Sequence, residues 1–405
     1  MTDVLRPADL QILRSAASSS ADGATVALVF ATSDFAGLLL NWAVTARRAG
    51  VRWFVLVAMD DALHRQLTHT WSDAPILLLP RVASGAVKIN KINVIGERQR
   101  FGASVLAAGL SVVHSDADAL WRADPTPLIS DGDVVASRIW GKPKSVVSAW
   151  GAGMCTGFYF VRSSSAAVEL AREIQSRVAA KAAAHASWQT SDQFYLNVVL
   201  HERGVVWRGG KRMAGLDDFN GRMHSLSRHV GVAGGANRSR RLRLTMLPHA
   251  LVPRACPVVK ASDAATRAGR NKLALWKSVL TTATVLHCFP PGGDPAPGEK
   301  RNIMMGHPRH TAAEERFARS QSLWLLRDDW ASVARGPYAS KNNPPSTEKN
   351  APKCAALPTE FTSSCVSASS RLSAGEKMGN VYNVPLLSIT HSHSTSVSHF
   401  DAYRR

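Results

Sequence analysis

The sequence predicts an α/β fold built on a mostly parallel central sheet. Three observations point there. From residue 24 short β-rich runs alternate with amphipathic stretches, the first three elements read β-α-β, and two aspartates fall at the carboxyl end of a buried strand. Open parallel sheets bind their ligands outside that end of their strands. With 405 residues, 45% of them apolar, the chain can bury a full core in one large α/β domain or two ordinary ones.

"ATVALVFAT" (24–32) is the first strand. "FAGLLLNWAVTARRAG" (35–50) has helical spacing and ends in glycine, and "VRWFVLVAMDD" (51–61) is a buried-strand run ending in acid. Arg98 to Gly109 reads as a helix, followed by the strand "LSVVHSD" (110–116). "GDVVASR" (132–138) and "CTGFYFVRS" (155–163) read as further strands, and "AAVELAREIQSRVAAKAAAHA" (166–186) as a long alanine-rich helix. "SDQFYLNVVLHERG" (191–204) reads as a short helix opened by a Ser/Asp cap. A basic, glycine-containing stretch from Arg203 to Arg243 is expected to hold irregular loops between short strands such as "LRLTMLP". "ATVLHCFP" (283–290) is the last strand, and "AAEERFARSQSLWLLRDDW" (312–330) a closing amphipathic helix. The expected division is an N-terminal extension over 1–23, one α/β domain over 24–335 and a tail over 336–405. That tail is rich in Ser, Thr and His, lacks sustained apolar periodicity and is expected to be disordered.

An excess of 49 Lys+Arg over 30 Asp+Glu gives +19, which suits an anionic partner: a diphosphate, an acidic glycan, a membrane surface or nucleic acid. Nucleic-acid binding calls for aromatic residues interleaved with the positive charge or a recognition-helix pattern. Neither is visible, so no nucleic-acid partner is expected. The five cysteines show no C-x-x-C, which argues against a zinc site and a dense disulfide framework. The first twenty residues carry Asp3 and Asp9 and lack a signal-like apolar core, and no stretch holds about 18 uncharged apolar residues. No transmembrane segment, signal or anchor is expected in this sequence.

An arbitrary D-x-D is an ordinary surface turn. In "SVVHSDADALWRADP" (111–125) a buried strand feeds Asp116 and Asp118, and Leu120 and Trp121 follow at once, so the carboxylates are held at a rim. On extended backbone, side chains at i and i+2 point to the same side. Two like charges so placed repel unless a cation lies between them, and hard oxygen ligands suit Mn²⁺ or Mg²⁺ shared with a phosphate oxygen. In "CTGFYFVRS" core packing explains Phe158, Phe160 and Val161. Thr156 and Gly157 are less well explained, and glycine permits close backbone approach to a ligand. Asp192 either caps its helix or serves the reacting centre, and Gln193 adds an amide able to contact a sugar hydroxyl. His287, after the last core strand and before a Pro/Gly loop, is a third candidate metal ligand, although a lone histidine at a strand end is usually structural.

Taken in order, "LLLNWAVTARRAGV" with "LVAMDD", then "GLSVVHSDADALWRADP", "TGFYFVRSS", Trp188 before "SDQFYLN", and "WLLRDDW" resemble the nucleotide-diphospho-sugar transferase domain of plant and algal cell-wall arabinosyl- and galactosyl-transferases, the glycosyltransferase family 77 type. The resemblance spans roughly residues 24 to 330 and implies a GT-A type Rossmann-like domain. It implies that Asp116 and Asp118 hold Mn²⁺ (or Mg²⁺) and the nucleotide diphosphate, with Thr156 and Gly157 in the sugar pocket and Asp192 and Gln193 at the reacting centre. Lys91, Arg98 and Arg100 supply the neighbouring basic residues, with Arg98 and Arg100 assigned to the donor. The implied partners are a nucleotide-diphosphate sugar, from which UDP is the expected leaving group, and a glycan or glycoprotein acceptor, with retention at the sugar carbon and a place in the Golgi lumen. Two other readings compete: a non-catalytic polyanion-binding protein on the same fold, and a metal-dependent phosphohydrolase using the same acidic pair.

Overall fold

Strand and helix positions in the computed structural model follow the apolar periodicity. Residues 5–87, 94–139, 143–183, 191–208, 228–234, 241–253, 266–267, 271, 274 and 282–287 are described. The expected helix over 312–330 and the tail over 336–405 lie outside them. The chain divides into the units Met1–Lys353 and Cys354–Arg405, and every described residue belongs to the first.

In chain order the elements begin with α1 (Pro7–Ala17), β1 (Thr25–Ala31), α2 (Ala36–Arg48), β2 (Phe54–Ala58), α3 (Asp61–Thr70), β3 (Ile76–Leu78), α4 (Pro80–Ala83) and α5 (Val94–Ala107). There follow β4 (Ser111–Ser115), β5 (Leu120–Trp121), α6 (Thr126–Ile129), β6 (Val134–Ile139), α7 (Lys144–Trp150), β7 (Gly153–Val161), α8 (Ser165–Ala183) and α9 (Asp192–Glu202). The strands β8 (Val206–Trp207), β9 (His229–Ala233), β10 (Leu242–Met246) and β11 (Val285–Leu286) complete the described set.

Nine of the described strands form one sheet in the order β3-β2-β1-β4-β7-β6-β10-β9-β8. The pairings β1 with β2, β1 with β4, β2 with β3 and β6 with β10 are parallel. β7 runs against both of its neighbours, and β9 runs against β10 and β8. Within this sheet every strand except β7 and β9 therefore points the same way, which is the mostly parallel α/β sheet the sequence predicts. β2, β4 and β7 are buried along their whole length, as a sheet covered on both faces requires.

One face packs Leu28, Val55, Val57, Val112 and Tyr159 into a cluster with side chains of α1, α5 and α8. On the other, the Trp42 ring meets Phe54 and Trp121, and Trp121 meets Trp53 and Phe158. Residues 7–17, read from the sequence as part of an extension, form α1 and bury Leu13, Ala16 and Ala17. Full burial of a leucine contributes about 1.5–3 kcal/mol, so α1 is part of the domain's core and not an appendage. Asp60, the penultimate residue of the acidic strand run, caps α3 by accepting from the Leu63 N–H at 2.7 Å, and it also accepts from the Ser33 N–H at 2.7 Å. That bridge ties the carboxyl ends of β1 and β2 together, beside the end of β4.

Candidate active site

Asp116 directly follows β4, and its N–H donates to the Gly157 carbonyl of β7 at 2.8 Å. The chain then turns, with the Ala119 N–H donating to the Asp116 carbonyl at 3.0 Å, before entering β5. The extended backbone assumed from the D-x-D spacing is therefore absent: Asp116 and Asp118 converge because they sit on one tight turn. Below the turn, the Ser115 hydroxyl accepts from the Trp42 and Trp121 indole N–H groups at 3.0 and 3.2 Å and donates to the Asp116 carbonyl at 3.2 Å. One donor and two acceptors exhaust a hydroxyl, so the turn stands on a fully satisfied hydrogen-bond seat.

β5 pairs antiparallel with β11, Leu120 opposite Leu286 and Trp121 opposite Val285. This two-stranded ribbon delivers His287 to the acidic turn from more than 160 residues away in sequence. Its Nε2 lies 3.4 Å from Asp118 Oδ1 and 3.7 Å from Asp116 Oδ2. The imidazole is buried, the two carboxylates are partly exposed, and one ligand atom from each of the three falls within 4.8 Å of the others. Gly157 makes this possible: a Cβ there would stand 1.8 Å from His287 Cε1. The close approach expected at Gly157 is that of a ligand; the group that occupies that space is the His287 imidazole.

On the other side of Asp116, Arg98 of α5 donates through Nη1 to Asp116 Oδ1 at 2.7 Å and through Nη2 to Asp192 Oδ2. Asp192 is the first residue of α9 and buried. Its Oδ1 accepts from the Thr156 hydroxyl at 3.0 Å and the Gln193 N–H at 2.7 Å, and its Oδ2 also accepts from the Gln99 amide at 2.8 Å. Burial, the largest influence, pushes its carboxyl pKa up. The Arg98 charge, with hydrogen bonds from Arg98, Gln99 and Thr156, outweighs burial and holds it below the ordinary value. Arg98 is likewise opposed by burial, and the two carboxylates hold its pKa above the usual guanidinium value, so it is a fixed cation.

α9 is docked by Asn197, whose side-chain amide brackets Met154 of β7, accepting from its N–H and donating to its carbonyl, each at 2.7 Å. Gln193 is partly exposed, and its side-chain amide makes no hydrogen bond among the described residues.

Five of the expected site residues (Asp116, Asp118, His287, Arg98, Asp192) thus meet in one place, with Gly157 and Thr156 packed beneath them and Gln193 beside them. Arg100 does not join them. Two residues on from Arg98 it faces another side of α5, its Nε 3.7 Å from Glu97, in a small cavity with Leu5, Leu79 and Phe101. Lys91 lies outside the described residues, as does most of the basic stretch 203–243. Within that stretch Arg203 pairs with Glu173 at 2.7 Å and Arg228 with Asp131. The expected Ser/Asp cap is also different: Ser191 makes no side-chain cap bond, and Asp192 turns toward the sheet instead. The sequence reading passed over Gln99, Tyr159 and Ser115. For Tyr159 and Ser115 the signal was a polar group inside an apolar run, which marks a buried hydrogen bond without naming its partner; Gln99, between Arg98 and Arg100, carried no such signal.

Asp116, Asp118 and Asp192 against Arg98 leave two formal negative charges, which a divalent cation balances. Two carboxylate oxygens and an imidazole nitrogen suit Mn²⁺ better than Mg²⁺, which favours all-oxygen sites. The residues present fit such an ion.

The LgtC galactosyltransferase, crystallised with donor and acceptor sugar analogues, is 14% identical over 76% of this chain and 100% of its own, with a TM-score of 0.35. The glycosyltransferase GlyE of Streptococcus pneumoniae TIGR4, in its apo form, is 11% identical over 78% of this chain and 63% of its own, with a TM-score of 0.38. The bifunctional glycosyltransferase WbbM is 10% identical over 71% of this chain and 50% of its own, with a TM-score of 0.39. No curated protein sequence matches the chain significantly. No described helix is long and apolar enough to cross a membrane. The family model for nucleotide-diphospho-sugar transferases matches residues 49–270, which is more than half of the 405-residue chain and contains the acidic turn, Arg98 and Asp192. The chain belongs to the nucleotide-diphospho-sugar transferase family.

Proposed function

We propose that this glycosyltransferase moves a sugar from a UDP-sugar to a glycan or glycoprotein acceptor with retention, and that Asp116, Asp118 and His287 hold a divalent cation, Mn²⁺ by preference. The observation that carries the reading is the convergence of those three ligand atoms beside the Arg98–Asp192 pair. A bound cation would supply charge for the diphosphate that departs from the sugar. Arg98 adds a fixed positive charge next to that position, where negative charge grows as the bond breaks. Asp192 has all four of its acceptor positions filled by donors, so it holds Arg98 and the start of α9 in place and is not the group that meets the sugar. The uncommitted amide of Gln193 is the better candidate for the sugar face, where an oxygen lowers the energy of an oxocarbenium-like carbon. Membership of the family 77 type, retention and a Golgi setting rest on the sequence resemblance.

The test uses the full chain, because α1 belongs to the core. A panel of UDP-sugars is incubated with Mn²⁺, with and without a glycan acceptor, and released UDP and free phosphate are followed. UDP release from one sugar, stimulated by acceptor and abolished by chelator, is the expected result. Phosphate release from nucleotides that carry no sugar would favour the phosphohydrolase instead, and binding without turnover the polyanion binder.

A further inference from the structure

Behind the Arg98–Asp192 pair lies a second layer of side chains for which the proposed mechanism has no role. The Gln99 amide, buried on α5, donates through one nitrogen to Asp192 Oδ2 at 2.8 Å and to the Tyr159 hydroxyl at 3.0 Å. An ionised carboxylate can only accept, so Asp192 itself fixes which end of the Gln99 amide faces it. Both protons of that nitrogen are then used, and the amide has one orientation. Tyr159 is held in turn: its ring stacks on the buried imidazole of His114 with centroids 4.7 Å apart and planes 8° apart, and His114 stacks on Phe30 on its other side. His114 sits against Gly102, one turn along α5 from Arg98 and Gln99, where a Cβ would come within 2.7 Å of the imidazole. The chain of contacts runs Phe30, His114, Tyr159, Gln99, Asp192, Arg98 without a gap, and its four inner members are buried.

We propose that Gln99 and Tyr159 form a strut of positioning residues for the transfer reaction: Tyr159 orients the Gln99 amide, and Gln99 sets the Asp192 carboxylate. Asp192 then aims the Arg98 guanidinium and anchors the first turn of α9 that carries Gln193. The proposal rests on the transferase reading of the site. Its logic is that, among the described residues, Oδ2 receives only Arg98 and Gln99. Without Gln99 the Oδ2 end is held by Arg98 alone, so the carboxylate can tilt about its Cβ–Cγ bond against the Thr156 and Gln193 contacts on Oδ1, and the two groups that depend on it, Arg98 and the Gln193 N–H, lose part of their fixed reference. Small displacements of positioned groups cost rate far more than they cost binding.

Two readouts test this in the full chain, with Gln99→Leu, Tyr159→Phe and the double variant. The first needs no turnover. The Gln193 N–H belongs to the first turn of α9, has no helical acceptor, and is held by Asp192 Oδ1 at 2.7 Å, so its hydrogen exchange reports the carboxylate's position. Exchange there should quicken several-fold in each variant while amides of β1 and β4 keep the parent rate. Parent-rate exchange at Gln193, or a uniform rise across the sheet, would overturn the strut. The second readout is kinetic, with a UDP-sugar that the parent turns over. We expect kcat to fall about 10- to 100-fold with the donor KM within about twofold, and the double variant to be no worse than Gln99→Leu alone, because Tyr159 acts through Gln99. Unchanged kcat, or additive losses, would contradict the proposal. Tyr159→Phe removes a single oxygen and keeps the His114 stack, so it remains informative if Gln99→Leu folds poorly. A parent that turns over no nucleotide sugar would defeat the transferase reading, while the exchange result would still decide whether Gln99 sets Asp192.

Discussion

Gly157 and His287 occupy one space: a methyl group on the glycine would stand 1.8 Å from the imidazole Cε1 and 2.6 Å from each ring nitrogen. Two segments far apart in sequence are thereby matched atom for atom, and the imidazole reaches the acidic turn only because β7 carries no side chain there. Gly157→Ala should therefore push the imidazole off Asp116 and Asp118. We expect Mn²⁺ affinity to fall on the order of 10- to 100-fold, as when a ligand loses its support, and to match the loss in His287→Ala. Titration with Mn²⁺ followed by electron paramagnetic resonance measures it, and parent affinity in Gly157→Ala would refute the steric argument.

The two aspartates should differ in stability although both belong to the proposed cation site. Asp116 accepts from Arg98, whereas Asp118 faces His287. Asp116→Asn leaves a largely buried guanidinium with Asp192 alone and should cost about 1–3 kcal/mol, while Asp118→Asn relieves like-charge repulsion and should cost little. Urea unfolding separates them, and equal losses would mean that the Arg98–Asp116 bond adds nothing. Both variants should lose Mn²⁺-linked UDP binding by calorimetry.

Ser115→Ala removes the hydroxyl that the Trp42 and Trp121 indoles share. Each N–H left without a partner in a dry core costs about 1–3 kcal/mol. We expect a clear fall in the urea midpoint together with a change in tryptophan emission. An unaltered midpoint would show that the indoles find other acceptors.

His114 should make the fold sensitive to acid. Burial first, and then the positive charge of Arg98, push its imidazole down to about 3. Unfolded, it titrates near 6.5, so between those values the unfolded chain binds a proton that the folded chain refuses. Stability should therefore be lost as pH falls from about 6.5 toward 3, by up to about 1.4 kcal/mol per pH unit from this residue. His114→Gln should flatten the profile, and parallel profiles for parent and variant would exclude His114 as the cause.

Gln193→Ala should lower kcat on the order of 10²- to 10⁴-fold and leave α9 folded, the loss typical of one positioned group. Asp192→Asn should lower both kcat and stability, because an amide nitrogen would then face donors that need an acceptor. Steady-state rates with the active donor, read beside circular dichroism, distinguish the two. Full activity in Gln193→Ala would remove it from the sugar face.

Local order was written plainly in the residues. Alternation and helical spacing placed β1, α2, β2, β4, β6, β7, α8 and α9 within a few residues of their ends, because apolar period reflects which side of an element meets the core. The acidic turn was visible too, since two carboxylates between a buried strand and a tryptophan have few packing roles. Period carries no record of partners. It could not show that β7 enters the sheet reversed between β4 and β6, or that β11 pairs with β5 and brings His287 across. Nor could it show that Arg98 points at Asp116 while Arg100, two residues on, points at Glu97. Those outcomes depend on hydrogen bonds and close contacts between segments tens to hundreds of residues apart, whose geometry exists only once the sheet has assembled. The same reason explains Gly157, a permissive residue in the strand when read locally, and in the fold the space that His287 fills.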